Sequence, residues 1–81
     1  MKERYEVWID ESDRAIYLEN DKGKYCPFSS LYADDFMWFE SRYAELARGV
    51  FSGYDTPPES SILFGFITPE GLVHWGEVCD N

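Results

Sequence analysis

Few residues in this chain are of the types that do acid–base, nucleophilic or metal chemistry. There is one histidine, His74, there are two cysteines, Cys26 and Cys79, and there are 16 Asp and Glu among 81 residues. Catalysis by proton transfer needs a base placed against a nucleophile or a second titratable group. His74 sits in a run of β-type residues beside Trp75 and has no such companion at motif spacing. No G-x-S-x-G, phosphate-cradling glycine loop or H-E-x-x-H occurs. Neither cysteine has an adjacent cation or histidine to lower its pKa. The acidic turns "DESD" (10–13) and "ENDKG" (19–23) do not fit a calcium loop. The expectation is therefore a protein that is not an enzyme, with no catalytic residues, no metal site and no cofactor.

What the chain has in quantity is charge of one sign and aromatic surface. Sixteen carboxylates oppose seven Lys and Arg, for a net charge of −9, and no Lys or Arg follows Arg48. Such a field repels nucleic acid and anionic membrane and attracts basic surfaces. Aromatics make up 19% of the residues. A sheet carrying Trp8, Tyr17 and Trp75 resembles a base-stacking platform, but that device also needs a cationic groove, which the charge balance denies. Direct nucleic-acid binding is not expected.

The elements that must position these side chains can be read from periodicity. Residues 4–10 alternate, with Tyr5, Val7 and Ile9 on one face and Glu6, Trp8 and Asp10 on the other. A polar turn leads to a second strand over 15–20, and Gly23 suits the next turn. "KYCPF" predicts a short third strand that Pro27 confines to an edge or ends. Ser29 or Ser30 then caps a helix with Asp34 and Asp35 in its first turns. Tyr32, Phe36, Phe39, Tyr43, Leu46 and Val50 recur at helical spacing, predicting one helix of about five turns that ends at Gly49 or Gly53. A loop over 52–61 precedes strands at 62–68 and 72–78, joined by a Pro–Glu–Gly turn. The expected fold is one α+β domain over 1–81, with an antiparallel sheet of four to five strands and one long helix packed on one face. The aromatic content lets so short a chain fill a core.

Two surfaces then stand out. Trp38 falls nearly opposite the Phe36/Phe39/Tyr43 stripe, among Asp34, Asp35, Ser41, Arg42 and Glu45. An exposed Trp in that setting has the composition of a binding anchor, unless the 52–61 loop folds over it. The sheet face away from the helix would show Trp8, Tyr17 and either Phe64 with Phe66 or Leu63 with Ile67 and Trp75. Glu6 and Asp10 flank Trp8 at about 6.8 Å, and with Asp13, Asp34, Asp35 and Glu45 they offer a row of carboxylates that imitates a phosphate track. The expected partner-binding set is Glu6, Trp8, Asp10, Asp13, Asp34, Asp35, Trp38 and Glu45.

Small size, acidity, aromatic content and the lack of a catalytic set resemble a functional class: phage or mobile-element inhibitors of nucleic-acid enzymes. Anti-CRISPR proteins, anti-restriction DNA mimics and uracil-DNA glycosylase inhibitors belong to it. The resemblance lies in size and composition and in no family motif. It implies an inhibitory binding protein that occupies the basic surface of a nucleic-acid-binding partner. The alternatives are a nuclease-toxin immunity protein, and a structural domain that dimerises through the uncovered sheet face. The N-terminal "MKERYEVWID" runs straight into a strand pattern, and no long apolar run occurs. A cytoplasmic protein with reduced thiols and no membrane partner is expected.

Overall fold

The structure is a computed structural model that describes residues 4–50 and 56–74. Five strands form one antiparallel sheet: β1 (Tyr5–Asp10), β2 (Ala15–Glu19), β3 (Tyr25–Ser29), β4 (Ile62–Thr68) and β5 (Gly71–His74). A 3-10 turn (Ser30–Tyr32) and one helix, α1 (Phe36–Ala47), intervene between β3 and β4. The order across the sheet is β3-β2-β1-β4-β5. The expected α+β architecture is present, and Pro27 lies on edge strand β3, where its missing N–H costs no ladder bond. The expected extension of the last strand to 78, together with Trp75 and Cys79, lies outside the described residues, as does the side chain of His74.

The long helix divides. Ser29 caps only the 3-10 turn, its hydroxyl accepting from the Leu31 amide at 3.2 Å. The α-helix begins at Phe36, with Asp35 as its N-cap accepting from the Trp38 amide at 3.0 Å. Asp34 and Asp35 thus precede the helix rather than occupying its first turns. At the other end, Gly49 adopts φ +72°, its amide donates to Leu46 and the Val50 amide donates to Glu45. This pair of bonds is a Schellman stop, and it needs the left-handed residue that glycine supplies.

The core lies between the sheet and the helix. Tyr5 and Val7 from β1, Ile16 and Leu18 from β2, Ile67 from β4, and Phe39 and Leu46 from α1 are almost wholly buried, with Trp38 beside them. One bulge changes which side chains share a face. Val7 opposes Gly65 and Trp8 opposes Leu63, so Phe64 is an extra residue in β4. Phe64 packs against the core. Leu63 and Phe66 oppose Trp8 and Glu6, on the face away from the helix. That combination is neither of the two expected from strict alternation, because an added residue shifts the two-residue period by one.

Phe36, expected in the core, is 53% exposed, and its ring lies against Gly71 at the β4–β5 turn. A Cβ on Gly71 would meet the Phe36 ring at 2.6 Å, at a φ of +114° that side-chain-bearing residues avoid.

The cap can be tested by substitution. Asp35→Ala is expected to cost about 1 kcal/mol, while Asp35→Asn keeps most of the stability and Asp34→Ala stays within about 0.5 kcal/mol. Urea denaturation of the three variants measures the difference; equal losses at both positions would contradict the assignment of Asp35 as the cap.

Candidate functional site

Of the residues expected to form a partner surface, Trp38 moves furthest from expectation. It is only 8% exposed. Residues 52–55 of the loop expected to cover it lie outside the described residues, and residues 56–59 and 61 line a cleft with Trp8 and Tyr25 instead. Tyr32 covers Trp38, stacked on the indole at 4.8 Å with planes 4° apart, and Phe28 of β3 meets it edge-on at 5.2 Å. Phe39 makes a further edge contact at 4.9 Å. The Arg42 guanidinium lies 5.3 Å from the indole centre. Arg42 is held in turn by Glu45: Nε approaches Oε1 at 2.6 Å as an ionic contact out of hydrogen-bond line, and Nη2 donates to Oε2 at 3.1 Å. Of the charged neighbours that suggested an exposed anchor, Arg42 lies over the indole and joins the aromatic cover.

The helical phase explains the error. At about 100° per residue, the buried arc runs from Trp38 through Leu46 and Phe39 to Tyr43. It is rotated roughly 50° from the predicted stripe, because Phe36, at the far edge of that stripe, is exposed, while Trp38, beyond its other edge, is buried.

Asp10 is also withdrawn from the surface, at 1% exposure. Its Oδ1 accepts from the Ser12 amide at 2.9 Å and the Asp13 amide at 3.4 Å, and its Oδ2 accepts from the Ser60 hydroxyl at 3.1 Å. It ties the β1–β2 turn to the segment before β4. Glu6 is half-buried and occupied: its Oε1 accepts from Trp8 Nε1 at 3.1 Å and from the Tyr25 hydroxyl at 2.7 Å. The expected carboxylate–aromatic–carboxylate row thus reduces to Glu6 and Trp8. Asp13, Asp34 and Asp35 are exposed, and Glu45 is half-buried against Arg42.

The sheet face away from the helix is less bare than expected. Tyr17 is 8% exposed and Phe66 7%, with the Arg4 guanidinium 4.2 Å from the centre of the Phe66 ring. The 56–61 segment stands beside Trp8 and Tyr25, leaving a cleft of about 270 Å³ walled by those two rings, Pro57, Pro58 and Glu59. Tyr25 holds its proton well above the ordinary tyrosine range, first because of burial, then because of its hydrogen bond to Glu6 and the charges of Glu6 and Glu19. Burial also pushes the Cys26 thiol up, which opposes a nucleophilic role.

Of six large apolar side chains exposed among the described residues, four lie where the connector from β3 enters α1, and the other two are Val50 and Ile62. Leu31 is 89% exposed and Met37 74%, with Phe36 at 53% and Tyr32 at 41%. Asp34 and Asp35 are exposed between them, and Glu40 follows on the helix. Reading by period missed Leu31 and Met37, which are out of phase with the stripe; that mismatch was the available signal. Among the described residues, no group of three His, Cys, Asp or Glu is placed to hold a metal ion, and no helix is long and apolar enough to cross a membrane.

No family matches. Comparison of the chain with protein-family models, with curated proteins and with solved structures gives no correspondence. Function must be argued from the surfaces themselves.

Two outcomes follow. Trp38→Ala is expected to cost about 3–5 kcal/mol, read as a fall in thermal midpoint of more than roughly 10 °C; a shift of a degree or two would mean that the indole is solvent-facing. For Tyr25, the raised pKa means that the folded state binds the phenol proton more tightly than the unfolded chain does. Its contribution is complete below about pH 10 and is lost as pH rises above that value. Tyrosinate absorbance should show a late-ionising tyrosine that Tyr25→Phe removes.

Proposed function

We propose that the protein is an inhibitory binding protein that occupies a basic surface of a nucleic-acid-binding partner, in the manner of a DNA mimic of the anti-CRISPR or anti-restriction kind. One observation carries the reading: Leu31 on the connector and Met37 in the first turn of α1 stand 89% and 74% exposed, with exposed Asp34 and Asp35 between them, in a chain of net charge −9. Apolar side chains left in water beside carboxylates have the composition of an interface centre with a charged rim. The carboxylates steer the chain toward a cationic surface and repel nucleic acid, while the apolar tips supply contact that salt does not screen.

The contact set differs from the expected one at its centre. Leu31 and Met37 replace Trp38, whose burial makes it the support beneath the connector. Asp13, Asp34 and Asp35 keep their place as exposed charge, and Glu40 joins them. The dimer alternative loses ground because Arg4 and the 56–61 segment already cover part of the face it requires. A nuclease toxin's basic surface would satisfy the same chemistry as a phage-type target, so the immunity alternative differs in partner and not in surface.

The experiment is a pull-down from host lysate at low and high salt, with three forms of the protein. Wild type is expected to enrich a nucleic-acid-binding protein, less so at high salt. Leu31→Ser with Met37→Ser is expected to weaken that capture roughly tenfold or more. Asp34→Asn with Asp35→Asn, which removes charge and keeps the cap, is expected to weaken it chiefly at low salt. Enrichment of no nucleic-acid-binding protein by wild type at low salt would overturn the reading.

A further inference from the structure

The cleft on the sheet face away from the helix differs from the connector in chemistry. Trp8 of β1 and Tyr25 of β3 form one side, Pro57 and Pro58 the other, and the exposed Glu59 stands at the edge. Its volume, about 270 Å³, suits one large side chain rather than a cofactor-sized ligand. Among the described residues, no Lys or Arg lines it.

Its electrostatics favour a cation. Glu6 lies behind both rings, accepting from Trp8 Nε1 at 3.1 Å and from the Tyr25 hydroxyl at 2.7 Å, and both bonds fall on Oε1. These bonds fix the two rings and place a carboxylate at the edge of each. Glu6 and Glu19 act on Tyr25 in the direction of a negative local field, since both charges help hold its proton. Indole and phenol faces attract cations, tryptophan most strongly, and guanidinium also stacks flat upon them.

The molecule already uses this recognition elsewhere. In the neighbouring depression, lined by Glu6, Glu19, Phe66 and Arg4, the Arg4 guanidinium lies 4.2 Å from the Phe66 ring centre beside those two carboxylates. On the helix, Arg42 lies 5.3 Å from the Trp38 centre and is paired to Glu45. In both places an aromatic ring holds an arginine of the chain itself, with a carboxylate paired to it on the helix and two carboxylates lining the same depression on the sheet. The Trp8–Tyr25 cleft offers the same kinds of group, with no lining cation among the described residues to fill it.

We infer that the Trp8–Tyr25 cleft receives the guanidinium of an arginine from a basic polypeptide segment, stacked between the rings and the Pro57–Pro58 wall and paired with Glu59. The inference rests on the proposed function only in taking the partner to be a basic protein, and it names the side chain that this second surface recognises.

The test uses the free protein and a defined probe, a tetra-arginine amide, with the tetra-citrulline amide as a neutral isostere. Indole N–H resonances are followed by two-dimensional NMR at low salt, with the Trp8 signal assigned through Trp8→Leu. The Trp8 indole is expected to shift saturably with the arginine peptide and not with the citrulline peptide, while the Trp38 indole stays in place. Glu59→Lys changes an exposed residue and leaves the fold intact; it is expected to weaken binding at least about fivefold. Equal shifts with citrulline, unsaturated shifts shared by all indoles, or undiminished binding by Glu59→Lys would each overturn the inference. Saturable binding at Trp8 without a partner in the pull-down would leave the cleft standing and remove the proposed function. A captured partner with no Trp8 response to the peptide would do the reverse.

Discussion

The Asp35 carboxylate accepting the Trp38 amide at 3.0 Å sets the arrangement around it. A helix has unsatisfied amides at its start, and the residue that satisfies them fixes where the helix begins. The helix starts at Phe36, and seating Phe39 and Leu46 on the sheet brings Trp38 into the buried arc and turns Met37 away from it. The same start leaves Ser30–Tyr32 as a separate 3-10 turn, from which Tyr32 lies flat on the indole. Trp38 then joins β3, the 3-10 turn and α1 through Phe28, Tyr32 and Phe39. The price of this packing is that Leu31 on the connector and Met37 in the first turn of α1 have nowhere to go but solvent.

The opposite face obeys a second constraint. A single extra residue, Phe64, sends Leu63 and Phe66 to the same side as Trp8 and Glu6. An aromatic surface results that the chain covers in part with its own groups: Arg4 on Phe66, and the proline segment near Trp8. Asp10 holds that segment through Ser60. A buried carboxylate with three acceptor contacts is a positional device, and this one anchors Ser60, which lies between the cleft residues Glu59 and Ser61.

The strands were legible because alternation and turn residues agree along the chain. β4 begins and ends where its β-rich run does, and Gly23, Gly49 and Gly71 take the positive φ that turns and helix ends demand. The helix core at Phe39 and Leu46 was legible for the same reason. The N-terminal end of the helix was not, because Ser29, Ser30 and Asp35 are all competent caps and sequence alone does not rank them; choosing the serines carried Tyr32 into the helix, and counting the exposed Phe36 as core turned the predicted stripe away from Trp38. Asp10 was misplaced because composition counts a carboxylate as charge, whereas local amides and a hydroxyl fifty residues away claim it as an acceptor. The Trp8–Tyr25 cleft depends on Glu6 bonding across two strands, which no local pattern encodes.

The surfaces that remain exposed are acidic and apolar together, and their central use would be to take the place of nucleic acid on a partner. The most direct measurement is competition: the captured partner, purified, is mixed with a labelled duplex and titrated with this protein while anisotropy is followed. Stoichiometric displacement of the duplex, with no species containing all three components, is the result the account predicts. A stable ternary complex of partner, duplex and this protein would contradict it.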